Sequence, residues 1–171
     1  MRILISVACV FLLVIFSCGT QAPGGDFSRD VISFTYPSGW NIIGQKDLDG
    51  SGFYLTVKKA GYKESGLFIL TSVDGILDPY EYVKILQENF GEQKIITGLN
   101  FQPIQDDNLN GIPCVSSEFK FKVLGFAQHT GKVFGFVQEG NTYSILKQEA
   151  VDDISKNEKG FDLIESTFKV N

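Results

Sequence analysis

The chain has 171 residues, with 15 basic and 20 acidic side chains and 43% apolar residues. A chain of this length suits one domain with a sizeable core, and the apolar content excludes a disordered protein. The net charge of -5 argues against a nucleic acid as partner, and the single histidine excludes a metal centre built from several histidines. Composition therefore predicts one globular domain and leaves its activity open.

Residues 1–17 predict a secretory signal peptide. Arg2 is followed by an uncharged apolar run from Ile3 to Phe16, and a short apolar core behind a basic residue is typical of export signals. The run is shorter than the ~20 residues that a membrane-spanning helix needs.

Ser17-Cys18 follows where the run ends, and this junction resembles a bacterial lipobox, in which the cysteine is acylated. We therefore predict a lipid on Cys18. A plain signal peptide and an uncleaved anchor are the alternatives.

Residues 18–29 are predicted to form the lipidated N-terminus and a flexible tether. Gly19 to Arg29 reads GTQAPGGDFSR and has no apolar periodicity, and glycine and proline at this density are typical of mobile linkers. Residues 30–171 then form the domain. The expected location is the cell envelope, where the exported domain is held at a membrane by its lipid.

The first half of the domain predicts strands and then a helix. Runs rich in β-branched and aromatic residues indicate strands at Val31–Tyr36, Trp40–Ile43, Gly52–Lys59 and Gly66–Val73. The sequence DPYE starting at Asp78 combines an N-cap, a first-turn proline and an acid, and so predicts a helix start. Four apolar residues at helical spacing and a closing glycine support that helix: Tyr82, Val83, Leu86, Phe90 and Gly91.

The second half predicts further strands and a closing helix. Strands are expected at Leu99–Gln105, Ile112–Ala127, Lys132–Gln138 and Thr142–Gln148. Hairpin turns are expected at His129–Lys132 and at Glu139–Asn141. A helix is expected to open at Asp152 or Asp153, or nearer Glu158, with Phe161, Ile164 and Phe168 on one face. Consecutive antiparallel strands with two helices predict an α+β domain.

Three segments resemble the PsbP-like family, which includes the extrinsic PsbP subunit of photosystem II and many small prokaryotic lipoproteins. They are FTYPSGW at Phe34–Trp40, NGIP at Asn110–Pro113 and FDLIESTFKV at Phe161–Val170. The resemblance spans about Asp30 to Val170. It implies an antiparallel β-sheet flanked by helices in an α/β/α layered sandwich, on a scaffold used for binding rather than catalysis. We therefore expect a non-enzymatic binding or assembly domain with a protein partner in the envelope.

Two loops imitate half of a calcium-binding motif. Asp106 to Gly111 places oxygen ligands at positions 1, 3 and 5 and glycine at position 6, but position 12 is Ser117 instead of an acid. Asp47 to Gly52 has the same beginning, with Lys58 at position 12. Both loops are predicted to be turns between strands, and no metal or cofactor is predicted. An envelope protein that binds a small ligand or Ca²⁺ remains the alternative function.

No catalytic residue is predicted. Cys114 reads as a buried strand thiol, and a dyad with His129, the single imidazole, is the alternative that would make it a nucleophile. Asp152-Asp153 is interpreted as helix capping. The pairs Lys58-Lys59 and Lys120/Lys122 are interpreted as solvated strand positions.

Overall fold

The structure, a computed structural model, describes residues 24–61 and 63–171. The predicted signal peptide and Cys18 lie outside these residues. A small antiparallel sheet contains the first two strands of the domain and its last strand. Their order is β1 (Gly25–Arg29), β2 (Ile32–Tyr36) and β11 (Lys169–Val170). The prediction of a tether up to Arg29 is therefore wrong from residue 25 onwards. Phe27 explains the difference, because its buried ring lies 5.2 Å from that of Phe34 and gives this segment a packing partner.

The large sheet has eight antiparallel strands. Seven follow one another in the spatial order β3-β4-β5-β10-β9-β8-β6, and β7 also pairs with β8. The strands are β3 (Trp40–Asp47), β4 (Gly52–Lys59), β5 (Leu67–Asp74), β6 (Ile96–Phe101), β7 (Gln105–Leu109), β8 (Ile112–Val123), β9 (Ala127–Gln138) and β10 (Asn141–Ala150).

Two helices complete the domain. Helix α1 spans Pro79–Gly91, and Asp78 caps it by accepting a hydrogen bond of 3.0 Å from the Glu81 N–H, as predicted. A short 3₁₀ turn at Val151–Asp153 leads into α2, which spans Ile154–Thr167. The earlier of the two expected starts for the second helix is therefore confirmed. Within the described part of the chain, no helix has the length and apolar character to cross a membrane.

The antiparallel order defines two ends of the large sheet. We call the end where β3 begins and β8 ends the upper end, and the opposite end the lower end. Three tight turns lie at the lower end: Asp49-Gly50, Asn110-Gly111 and Glu139-Gly140. The β8–β9 turn at Leu124-Gly125 lies at the upper end. The hairpin turn expected at His129–Lys132 is therefore wrong, because these residues lie inside β9 and the chain reverses five residues earlier.

Both faces of the large sheet are covered where the core lies. On one face Val83 of α1 belongs to the same buried cluster as Phe119, and on the other Phe161 of α2 belongs to a second cluster with Phe34 and Phe68 of the two sheets. The α+β class with an antiparallel sheet is confirmed. The expected layer of helix alone on each face is not confirmed, because β2 shares the second face with α2.

The pattern of buried and exposed residues along β8 shows that both faces of the sheet are covered over only part of this strand. From Glu118 to Lys122 the polar residues are exposed and the intervening phenylalanines are buried, as the alternation predicted. From Cys114 to Ser117 every residue is buried, because both faces of the sheet are covered there. The strand expected at Leu99–Gln105 is split, and β7 begins only at Gln105.

Trp40 is buried at the upper end, as expected for its ring. Its ring contacts Phe161 edge-on, with centroids 5.1 Å apart. A Cβ on Gly160 would lie 2.8 Å from the indole, and one on Gly66 would lie 2.6 Å from it. Gly160 therefore weakens α2 locally and at the same time makes room for the indole that α2 packs against.

Candidate functional site

The sequence-predicted candidates do not converge on one site. Cys114 and His129 lie on opposite faces of the large sheet, because His129 pairs with Phe121, seven positions along β8 from the cysteine. Such a separation corresponds to about 23 Å along a strand. Burial raises the pKa of the Cys114 thiol to about 11. The alternative of a cysteine–histidine dyad is therefore wrong, and the buried thiol is confirmed.

The Asp106–Gly111 segment has the geometry of a hairpin. Asp106 to Asn108 belong to strand β7, and the reversal is confined to Asn110-Gly111. The Asn108 side-chain oxygen accepts a 2.7 Å hydrogen bond from the Gly111 N–H, and Asp107 faces a lysine. An extended strand spreads alternate side chains about 7 Å apart, so these oxygens do not wrap around a common point. The other half-motif forms the β3–β4 turn at Asp49-Gly50. Each segment therefore contains a turn between strands, as predicted, but Asp106 to Asn108 are strand residues.

Asp153 has a role other than the expected helix cap. Its side chain makes no capping hydrogen bond and instead accepts one of 2.8 Å from Ser65 and one of 2.6 Å from Lys156. The Ser65 hydroxyl also accepts from the Ala150 N–H at 2.9 Å. Asp153 thus ties α2 to the β4–β5 connection, and the hydrogen bonds from Lys156 and Ser65 lower its pKa.

An open cleft lies between α2 and the large sheet and is the candidate site. It has a volume of about 270 Å³ and is lined by Glu118, Thr130, Gly131, Lys132, Lys147, Gln148, Glu149 and Phe161. Its floor is a row across three strands, because Glu118 pairs with Lys132 and Lys132 pairs with Lys147. Strand pairing therefore places two ammonium groups side by side on a rigid surface, and we call this site the lysine cleft.

Each of these lysines has its own carboxylate. The Lys132 ammonium lies 2.7 Å from Asp107, and the Lys147 ammonium forms an ion pair with Glu165 of α2. Both ammonium groups lie over the Phe134 ring, at 4.9 Å and 5.9 Å from its centroid. Aromatic contact of this kind stabilises a cation and holds it in place.

Asp107 is the most strongly perturbed carboxylate of the site. Burial alone would raise its pKa, but hydrogen bonds from Lys132, Ser116 and the Asn108 N–H outweigh burial and lower the pKa to about 2. The Ser116 hydroxyl donates to it at 2.6 Å. Asp107 is therefore ionised at neutral pH and fixes the position of Lys132.

Positive and negative side chains alternate in the lysine cleft. Its two ammonium groups are neutralised by Asp107 and Glu165, and Glu118 and Glu149 also line the cleft. Ser116, which donates its hydroxyl hydrogen to Asp107, is 1% exposed, whereas Thr130 lines the cleft. Burial raises the pKa of Glu149, which keeps that carboxyl closer to neutral than an ordinary glutamate.

Sequence reasoning missed Lys132, Lys147 and their partners. The alternate residues of β9 change from Gln128, Thr130 and Lys132 to Phe134 and Phe136 along one face. A change from polar to aromatic residues on one face of a strand marks the edge of a covered core, and this signal could have located the cleft.

Comparison with known proteins shows likeness at the level of structure. No family model and no curated protein matches the chain. The solution structure of cyanobacterial PsbP (CyanoP) from Synechocystis sp. PCC 6803 matches with a TM-score of 0.59 and 16% identity, over 92% of this chain and 99% of that one. LpqN, involved in cell envelope biogenesis of Mycobacterium tuberculosis, matches with a TM-score of 0.54 and 12% identity, over 86% of this chain and 84% of that one. A Bacteroides thetaiotaomicron structure matches at 0.55 and 14% identity, over 87% of this chain and 49% of that one.

These likenesses support the fold that the three sequence segments implied. The chain has a PsbP-like fold, and the match extends over nearly the full length of both CyanoP and this chain. At such low identity the likeness establishes architecture and transfers no activity.

Proposed function

We propose that this chain is an exported lipoprotein of the PsbP-like family. Its domain binds or assembles with another component of the cell envelope and catalyses no reaction. Cys18 bears the lipid, and residues 1–17 are removed on export. The proposal rests on the fold shared with CyanoP and LpqN, the second of which is involved in cell envelope biogenesis.

The N-terminal sequence supports export independently of the fold. An apolar run behind Arg2 that ends at Ser17-Cys18 is typical of a lipoprotein signal. Strand β1 begins at Gly25, seven residues after Cys18. The domain would therefore be held close to the bilayer by a short connection.

We place the binding surface at the lysine cleft. Lys132 and Lys147 are held by ion pairs and by the Phe134 ring, so little side-chain entropy is left to lose when a partner binds. Alternating charges on rigid strands favour a protein partner with complementary charges, and they increase specificity more than affinity.

Metabolic labelling with a radioactive fatty acid tests the anchor. We expect label in the wild-type chain and in the Cys114→Ala variant, and none in Cys18→Ala. The Cys114→Ala control removes the one free thiol of the described domain, so it separates loss of the acceptor from loss of any cysteine. Label that persists in Cys18→Ala would contradict the lipoprotein proposal.

Crosslinking in intact cells, followed by capture from detergent-solubilised membranes, tests the binding surface. Reversing the charge of a lining residue in Glu118→Lys should weaken capture of the main partner at least about fivefold, because like charges across an interface repel. Glu88→Lys is the matched control, since Glu88 is an exposed acid of α1 on the other side of the sheet. Equal capture by both variants would exclude the lysine cleft as the docking surface.

A further inference from the structure

The β8–β9 turn has an unusual residue for its backbone. Four tight turns of the described chain place a non-glycine residue followed by glycine at positive φ, and their first residues are Asp49, Asn110, Leu124 and Glu139. Such turns favour asparagine, aspartate or glycine, because an L side chain in the left-handed region is strained. Leu124 has a φ of 52° and is the one apolar residue among the four. Local backbone preference therefore does not explain this leucine.

The side chains at this turn are also exposed. Leu124 is 65% exposed and Phe126 is 75% exposed, although both are large and apolar. The Leu124 N–H donates to the Ile95 carbonyl at 2.9 Å, which brings Ile95, 39% exposed, next to the turn. We call Ile95, Leu124 and Phe126 the apolar tip. It is an exposed hairpin turn at the end of two strands, so it fits a deformable medium better than a preformed pocket.

Positive charge surrounds the apolar tip. The charged side chains of residues 92–97 and 120–130 are Lys94, Lys120, Lys122 and one acid, Glu92. All three lysines are exposed, and none forms an ion pair with another described residue. This local excess of lysine contrasts with a chain whose net charge is -5.

The spacing of these groups suits a bilayer surface. Lys122 lies two residues behind Leu124 on an extended strand, which is about 7 Å. Apolar side chains of peripheral proteins enter the boundary between headgroups and acyl chains by about 5–10 Å, so the ammonium groups would remain at the level of the phosphates. Anionic lipid attracts lysines in that position.

The apolar tip lies at the same end of the domain as Gly24, where the described part of the chain begins. Gly24 packs against the Pro37-Ser38 connection between β2 and β3, which leads into the upper end of the large sheet. The tip is at this same end, whereas the three polar turns lie at the lower end. A lipid on Cys18, six residues before Gly24, would hold the upper end within about 20 Å of the bilayer.

We propose that the apolar tip is a membrane-insertion site, at which Leu124 and Phe126 enter an anionic lipid surface and Lys94, Lys120 and Lys122 bind its headgroups. The inference deepens the proposed function by giving the domain a second, non-covalent contact with the membrane. The tip's own exposure, backbone strain and charge support it without reference to Cys18.

The test measures insertion at the tip itself. The full-length chain, extracted from membranes, is reconstituted into vesicles of phosphatidylcholine and phosphatidylglycerol whose acyl chains are brominated. A Phe126→Trp variant should show fluorescence quenching by the bromines. Glu139→Trp, in a turn of the same backbone type at the lower end, is the matched control and should show none. Trp40 is buried and gives the same background in both variants.

A second pair of variants tests the chemistry. The Leu124→Asn, Phe126→Ser double variant should bind vesicles at least about tenfold more weakly when Cys18→Ala is also present, because two large apolar side chains no longer leave water. Lys122→Gln should weaken binding to anionic vesicles and leave binding to pure phosphatidylcholine unchanged.

Two results would overturn the insertion site. Equal quenching at positions 126 and 139 would do so, as would tip variants that lose a protein partner while vesicle binding is unchanged. Neither result depends on acylation, which is measured separately by fatty acid labelling. Loss of label with quenching retained would reject the anchor and keep the tip.

Discussion

Strand β8 connects two turns that both require positive φ at two successive residues, and the first residue of each turn is chemically different. At its start, Asn110-Gly111 has φ values of 48° and 90°, and at its end Leu124-Gly125 has 52° and 82°. Asn110 suits the left-handed region and its side-chain amide also donates to the Phe168 carbonyl at 3.0 Å. Leu124 has neither property.

The fold explains asparagine at position 110, whereas it does not require leucine at position 124. The lower turn is part of a network that includes Asp107, Ser116 and Lys132, and the side chains of Asn108 and Asn110 also have partners within the domain. The upper turn leaves its apolar side chains in water. Residues that violate local preference without any gain in packing are candidates for function.

The largest effect is expected at the lower turn's network. Asp107→Ala should lower the free energy of unfolding by about 2 kcal/mol, because it leaves the buried Ser116 hydroxyl and Lys132 without their acceptor. Urea denaturation followed by circular dichroism measures this. Asp106→Ala, one residue earlier and exposed, is the control and should change stability little. Equal effects of the two variants would show that the network does not stabilise this end.

Asn110→Ala should be the next most damaging. Alanine in the left-handed region is strained, and the hydrogen bond to the Phe168 carbonyl is lost, so we expect a cost of about 1.5 kcal/mol. Asn110→Gly should restore the turn and lose only the hydrogen bond. Thermal unfolding of the two variants separates these contributions, and an alanine variant as stable as the glycine variant would contradict the argument from strain.

The pH dependence of stability should reveal the same network. The folded pKa of Asp107 is about 2, below its ordinary value of 3.8, so the carboxylate contributes stability that is fully present above about pH 4. That stability is lost as pH falls from about 4 to about 2. We expect a loss of about 1 kcal/mol, less than the full shift implies, because the side chain is a quarter exposed and partly screened by solvent. Urea midpoints across this window should fall less steeply in Asp107→Asn than in the wild type.

The smallest effect has the opposite sign. Leu124→Asn should raise the free energy of unfolding by about 0.5 kcal/mol, since asparagine tolerates positive φ and little buried contact is lost. Differential scanning calorimetry would record this as a higher Tm. A lower Tm would show that Leu124 packs in a way that its exposure does not reveal, and the contrast between the two turns would then fail.

Sequence reasoning recovered local structure well where the signal was local. The DPYE start of α1 and the Asn-Gly turn were confirmed, because caps and tight turns depend on residues within four positions. The turn at His129–Lys132 was wrong because Thr130-Gly131 looks like a reversal but pairs within β9. Close packing explains the glycine at position 131, since a Cβ on this residue would lie 2.4 Å from the Phe119 ring.

The candidate site was harder to predict than the fold. Lys132, Lys147 and Glu165 are distant in sequence and meet only because strand register and α2 bring them together. Cys114 and His129, in contrast, lie on the two strands of one hairpin, but its reversal at Leu124-Gly125 pairs His129 with Phe121 and leaves Cys114 far away. Single residues of ordinary type give no signal until their neighbours across the sheet are known.

By itself, the amino-acid sequence determined most strands of the large sheet, the start of α1, the antiparallel α+β class and the resemblance that the PsbP-like fold supports. These follow from periodicity and capping, which act over a few residues. Only the tertiary structure decided that residues 25–29 join the fold, that two lysines share a cleft and that Leu124 and Phe126 project from the upper end. Each of these depends on which strands pair and in what register, and pairing is set by burial summed over the whole chain.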